Sequence, residues 1–233
     1  GGLSGLAPHP RHNDDDLARL AHRAEVTHFG APGGTMDHVS ICCSRGTCLR
    51  IAPDAVVKLP PVDGAWVLGD SGQPKDTMRH LKRCKYDRLE LYATKLNGDW
   101  DTQDADLDDT ERTLLQVTRT NRDVEAEAAK LWMSNATGSG RQLAKLMDVH
   151  HCALRDGLQL STPRIEDMRT AALHTGAWGF KIVGSGGGGC GVAWCSADKA
   201  QEVSNAMETA GAVKTWIFQI GGDSSIHSQC RIL

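Results

Sequence analysis

The sequence predicts a layered α+β fold and not a doubly wound parallel sheet, on three observations. Helical spacing dominates residues 106–176, and a strand, loop, strand, helix and strand then follow to residue 220. The loop Gly184-Ser185-Gly186-Gly187-Gly188-Gly189 separates the apolar run Phe180–Val183 from the strand-like run Cys190–Cys195. Finally, Gly184, Gly186 and Gly189 fit G-x-G-x-x-G, but that dinucleotide motif needs a helix opening at the loop. Here a helix begins only near Ser196, so the glycines join two strands and a Rossmann reading does not fit.

In chain order, residues 14–28 read as a helix. Asp14, Asp15 and Asp16 sit at its positive end, and Leu17, Leu20, Ala21, Ala24 and His28 mark one face. The runs Val39–Cys43 and Thr47–Ile51 flank Ser44-Arg45-Gly46 and predict a hairpin. Pro60-Pro61 breaks the pattern and marks the expected domain junction, giving domains 1–60 and 61–233. Ala65–Leu68 is a strand that delivers Gly69-Asp70-Ser71-Gly72. Helices are expected over Asp106–Met133 and Gly140–Asp156. A third has Thr162 as N-cap, Pro163 at its first position and its end at Gly176. Strands at 178–183, 190–195 and 213–220, with a helix at 197–210, complete the chain.

With 233 residues, 40% apolar and 24% charged, the chain has room for one large or two modest domains of ordinary soluble composition. A net charge of −3 argues against nucleic acid as the main partner. The six tryptophans are expected to be scattered without a stacking pattern, which points the same way. No apolar stretch approaches the ~18 residues of a membrane span, and there is no charged-then-apolar leader, so a cytoplasmic location is expected. The eight cysteines contain no C-x-x-C, and buried free thiols are expected. The sequence opens on Gly1 and not Met, so further residues upstream are expected. Oligomeric state is not legible.

Two segments carry chemistry. A backbone without side chains over 184–189 can wrap a phosphate, because glycine reaches positive φ and exposes its N–H groups. Asp37 follows the stiff turn Pro32-Gly33-Gly34, and Glu25 lies twelve positions upstream. Two carboxylates beside a phosphate nest fit phosphoryl transfer, one holding Mg²⁺ and the other receiving a proton from the attacking hydroxyl. Taken singly, Asp37 also reads as a turn-capping residue and Glu25 as a solvated helix residue. Gly69–Thr77 reads either as a pocket wall with Lys75 and Asp76 or as a turn capping a helix from Met78. His150-His151 shows no evident carboxylate partner, so core or capping roles are expected.

Read together, these segments resemble the GHMP kinase superfamily, and within it galactokinase-like sugar kinases. The carriers are Arg23-Ala24-Glu25, Gly30-x-Pro32-x-Gly34-x-Met36-Asp37 and Lys181-Ile182-x-Gly184-Ser185-Gly186-x-Gly188-Gly189-Cys190. His151-x-x-Leu154-Arg155-Asp156 and Ser161-Thr162-Pro163-x-Ile165 add to them. The resemblance implies a partial ribosomal-S5-domain-2-like kinase N-domain followed by a ferredoxin-like C-terminal domain, with the site in the cleft between them. It implies ATP and Mg²⁺ as cofactors, and a sugar as substrate phosphorylated at a hydroxyl, the anomeric one being expected.

Asp37 takes the catalytic role by this resemblance, Glu25 that of magnesium ligand, and Gly34, Met36 and Asp37 that of substrate contacts. Gly2, Ser4 and Gly184 to Gly189, with Ser185, fall on nucleotide-binding positions. Departures are Leu6 where the family has a magnesium-binding serine, Pro8 and Pro10 in the helix that should follow, and His38 after Asp37. They keep open a non-catalytic truncated or degenerate kinase relic acting as ligand sensor or subunit. A kinase for an isoprenoid-type alcohol is the third possibility, against which Leu154-Arg155-Asp156 and Ser161-Thr162-Pro163 argue.

Overall fold

The computed structural model describes residues 13–31, 33–44, 47–52, 55–75, 80, 82–103, 106–134 and 138–220. Gly2, Ser4 and Asp76 lie outside them. The chain divides into two compact units, Gly1–Leu59 and Pro60–Leu233.

In the first unit, Asn13 caps α1 (Asp14–His22) by accepting the Asp16 N–H at 2.7 Å, with the three aspartates in its first turn. A π turn over Arg23–Thr27 carries the helix on. The predicted apolar face is wrong: Leu17 and Leu20 are exposed, while Ala18 and Val26 are the buried positions. The predicted hairpin is also corrected. Residues 36–43 form helix α2 (Met36–Cys43), and the hairpin lies one element later, β1 (Leu49–Ala52) against β2 (Ala55–Lys58). Val39, Ile41 and two cysteines look β-prone, but strand preference is set by what covers a segment more than by the backbone itself.

The second unit is built on a four-stranded antiparallel sheet. Its strands are β3 (Ala65–Asp70), β4 (Gly179–Ile182), β5 (Cys190–Cys195) and β6 (Lys214–Phe218), in the order β4-β5-β3-β6. That order, with helices between the first and second strands and between the third and fourth, is the ferredoxin-like β-α-β-β-α-β arrangement. The helices are α3 (Arg88–Thr94), α4 (Asp109–Met133), α5 (Ser139–Asp156), α6 (Pro163–His174) and α7 (Ala200–Thr209). A reciprocal box opens α4: Asp108 accepts the Glu111 N–H at 2.8 Å, and Glu111 accepts the Asp108 N–H at 2.9 Å. Thr162 caps α6 and Pro163 begins it, as the sequence predicts.

Alternation along the strands fills both faces of the sheet. Ala65 and Val67 join one buried cluster with Ile165, Met168, Val203 and Met207. The intervening Trp66 joins another with Trp194, Leu143 and Ala144. Each large side chain removed from water here contributes about 1.5–3 kcal/mol of transfer free energy. The expectation of unstacked tryptophans is overturned. Trp66 and Trp194 face each other across β3 and β5 with ring centroids 4.2 Å apart, and both are buried as core.

Candidate functional site

In the first unit, the π turn brings Glu25 to the end of α1, and Gly33-Gly34-Thr35 leads into α2. Asp37 stands exposed in the first turn of α2, where a helix favours negative charge. Gly34 and Met36 beside it are exposed too. The neighbouring His38 is turned inward. Its Nε2 lies 2.9 Å from Glu25 Oε2, and its ring stands edge-on to His22 at 5.3 Å. His38 Nδ1 is buried without a hydrogen-bond partner. His38 thus brings the Glu25 and Asp37 segments together.

Glu25 suits a magnesium ion chemically: its carboxylate is a hard oxygen donor and stays 77% exposed. Mg²⁺ keeps several waters and commonly takes one or two carboxylates plus substrate phosphates. Among the described residues no cluster of three or more His, Cys, Asp or Glu could hold a metal ion.

In the second unit, the loop between β4 and β5 has left-handed backbone at Gly184, Gly186, Gly187, Gly188 and Gly189. The space around it demands glycine as well. A Cβ at Gly186 would come within 2.8 Å of the Leu160 carbonyl oxygen, and one at Gly188 within 2.7 Å of the Pro74 carbonyl oxygen. The loop is laced to residues 71–75. The Gly189 N–H donates to Gln73 O at 3.0 Å, and the Ser71 N–H donates to Gly189 O at 2.9 Å. The Gly187 N–H donates to Leu160 O at 2.6 Å. The expectation that the loop exposes its N–H groups therefore fails at Gly187 and Gly189, whose donors are used inside the protein.

The 69–77 segment is a turn in its described part: the Gly72 N–H donates to Asp70 Oδ1 at 2.9 Å. Lys75 is exposed and reaches over the loop, its Nζ donating to Val183 O at 3.3 Å. The Thr162 hydroxyl donates to Gln73 Oε1 at 2.6 Å, tying the segment to the start of α6.

Beneath the loop lies a polar cluster. His151, fully buried, sits with Nε2 2.8 Å from Glu166 Oε1, and its Nδ1 accepts the Ile182 N–H at 3.2 Å. The absence of a carboxylate partner expected for His151 is thereby corrected. Glu166 lies on the following helix, and nothing in the local spacing of His150-His151 points to it. Ser161 also donates to Glu166 Oε1, and Arg155 donates to Oε2 at 3.2 Å. Burial pushes His151 down in pKa, against the opposing pull of its Glu166 bond. Burial works to raise Glu166, but donors from Ser161, His151 and Arg155 prevail and bring it below the usual carboxylate range. Burial, with Lys181 and His151 nearby, lowers His150 to about 4. Cys190 and Cys195 are packed thiols that burial pushes upward, Cys195 to about 11. No described helix is long and apolar enough to cross a membrane.

Residues 127–213 match the protein family described as GHMP kinases C terminal. A mevalonate kinase from Thermococcus gammatolerans is 29% identical over 205 residues, covering 85% of this chain and 53% of that protein. A galactokinase from Mycobacterium bovis is 28% identical over 233 aligned residues, covering 90% of this chain and 61% of that one. In fold, the chain is similar to the Lactococcus lactis galactokinase solved with galactose, with a TM-score of 0.71 at 18% identity. That match covers 91% of this chain and 61% of the other. The chain thus spans between about half and three fifths of the length of these proteins.

Proposed function

We propose that this chain, related by ancestry to the small-molecule kinases of the GHMP group and carrying a GHMP kinase C-terminal domain at residues 127–213, supplies the larger part of an ATP-dependent sugar kinase. Residues 1–60 are assigned to a partial N-terminal kinase domain and 61–233 to the C-terminal domain. The reaction is transfer of the γ-phosphoryl group of Mg-ATP to a monosaccharide hydroxyl, the anomeric one in the first instance.

The observation that carries this reading is the 184–189 loop, a left-handed glycine backbone with Lys75 laid across it. With the Gly187 and Gly189 donors turned inward, the loop acts chiefly as a brace for the phosphate-binding region, and Lys75 adds positive charge there. Gly2 and Ser4 take nucleotide-binding roles by the family resemblance. Bound Mg²⁺ supplies charge neutralisation on the phosphates, with Glu25 as its protein ligand. Asp37 orients the attacking hydroxyl and accepts its proton, while Gly34 and Met36 shape the substrate side. His38, with Nε2 2.9 Å from Glu25 Oε2, holds that carboxylate in one orientation.

A second reading, transfer to the hydroxyl of a small non-sugar alcohol acid, is favoured by the 29% identity to a mevalonate kinase. Product formation from Mg-ATP with galactose, other hexoses and mevalonate, assayed side by side, tests both. Turnover of one hexose supports the sugar reading, and turnover of mevalonate alone supports the second. Turnover of neither, with no ligand bound, supports a non-catalytic relic.

A further inference from the structure

We infer that Glu166 is a positioning residue whose carboxylate ties together the two anchors of the glycine loop by holding His151 in a single tautomer. Its bearing on phosphoryl transfer rests on the kinase reading above, whereas the anchoring itself does not.

Among the described residues β4 is an edge strand, with β5 as its neighbour in the order β4-β5-β3-β6. The Val183 N–H donates to Cys190 O at 2.9 Å, so strand alternation turns the Ile182 N–H away from β5. Ile182 is buried, so an unpaired N–H there would be left without water or any other acceptor. His151 Nδ1 takes that donor at 3.2 Å. A nitrogen that accepts carries no proton, so the neutral ring keeps its proton on Nε2 and donates it to Glu166 Oε1 at 2.8 Å. The ring is fully buried edge-on against Phe180, with no room to turn toward solvent.

The second anchor ends on the same oxygen. The Gly187 N–H donates to the carbonyl of Leu160, and the next residue, Ser161, donates its hydroxyl to Glu166 Oε1. One oxygen of α6 therefore fixes the strand two residues before the loop and the carbonyl that holds the loop's middle. Arg155 on Oε2 keeps the carboxylate charged and in place. Without the Glu166 acceptor, a buried Nε2–H is left unpaired. Moving that proton to Nδ1 would set two donors, Nδ1–H and the Ile182 N–H, against each other.

The test is ¹⁵N NMR of the His151 ring together with amide exchange in the wild type, Glu166→Ala, Glu166→Gln and Ser161→Ala. The wild type should show the Nε2–H tautomer. In Glu166→Ala, exchange at Ile182 and Gly187 should rise by about tenfold or more relative to Val203 and Met207 in α7. Glu166→Gln retains an acceptor oxygen and should restore most of the protection. Should Glu166→Ala not fold, Ser161→Ala carries the test, with faster exchange at Gly187 and an unchanged His151 tautomer. An Nδ1–H tautomer in the wild type overturns the inference, as does unchanged exchange at Ile182 and Gly187 in Glu166→Ala or at Gly187 in Ser161→Ala. Mg-ATP titration of the same samples keeps the two readings apart: a wild type that binds no nucleotide counts against the kinase function and leaves the tautomer result standing.

Discussion

His38 reaches back thirteen residues to set its Nε2 2.9 Å from Glu25 Oε2, joining the first turn of α2 to the turn that ends α1. One of the residues that depart from the galactokinase-like pattern is therefore the one that holds the proposed magnesium ligand. His38→Ala frees the Glu25 side chain, and Mg²⁺-dependent nucleotide affinity should weaken by about tenfold, the lower end for loss of a group that orients a metal ligand. Magnesium titrations at fixed ATP check this, and an unchanged magnesium dependence would remove the role given to the pair.

Asp37→Asn keeps the shape of an exposed first-turn residue and removes the base. Turnover should fall by more than about a hundredfold with substrate KM little changed. Steady-state kinetics on the chain, or on a longer form that contains it, decide the matter. Near-wild-type turnover would leave Asp37 as a helix-terminal carboxylate only.

At Gly188 the side chain of alanine would meet two backbone carbonyl oxygens, those of Pro74 and Gln73, at 2.7 and 2.9 Å. Neither can retreat without moving the 71–75 segment, and a φ of 127° is itself strained for alanine. Gly188→Ala should cost about 2 kcal/mol or more, read as a lowered midpoint in denaturant with little change in slope. Gly34→Ala, where no atom lies within 4 Å of the added carbon, should cost under about 1 kcal/mol and serves as the control.

Acid should destabilise the second unit before most carboxylates titrate. Burial, with Lys181 and His151 nearby, holds His150 at about 4 in the fold, against 6.5 in the unfolded chain. Between those values the unfolded chain binds a proton that the native chain does not, so stability falls as pH drops from about 6.5 toward about 4. The difference amounts to about 3 kcal/mol. His151, lowered by burial, and Glu166, held below its ordinary value, act with the same sign. Melting temperature against pH should slope downward through this window and flatten in His150→Gln. A flat wild-type profile, or an equal slope in the variant, contradicts it.

The parts legible in the sequence were those whose signal is local. Thr162-Pro163 announces the start of α6, and an apolar run on each side of the glycines places the loop between two strands. The first unit was less legible because α2 is short and rich in β-prone residues, and none of its residues is buried to impose a helical stripe. The hairpin's last pair is Ala52 with Ala55, past the segment that looked most strand-like. The His151–Glu166 pair was invisible for another reason. It joins residues fifteen apart on two successive helices, and its purpose, an outward-facing N–H on an edge strand, exists only once the sheet order is fixed. The inward use of the Gly187 and Gly189 donors is equally a tertiary fact, since a glycine run reads the same whether it wraps a ligand or the protein's own carbonyls.

The most direct measurement is calorimetric titration of the chain with Mg-ATP, with and without galactose. The proposed function predicts affinity in the range of about 1 µM to 1 mM, within ordinary substrate affinities and tightened by the sugar. Absence of binding by either ligand, alone or together, would contradict it.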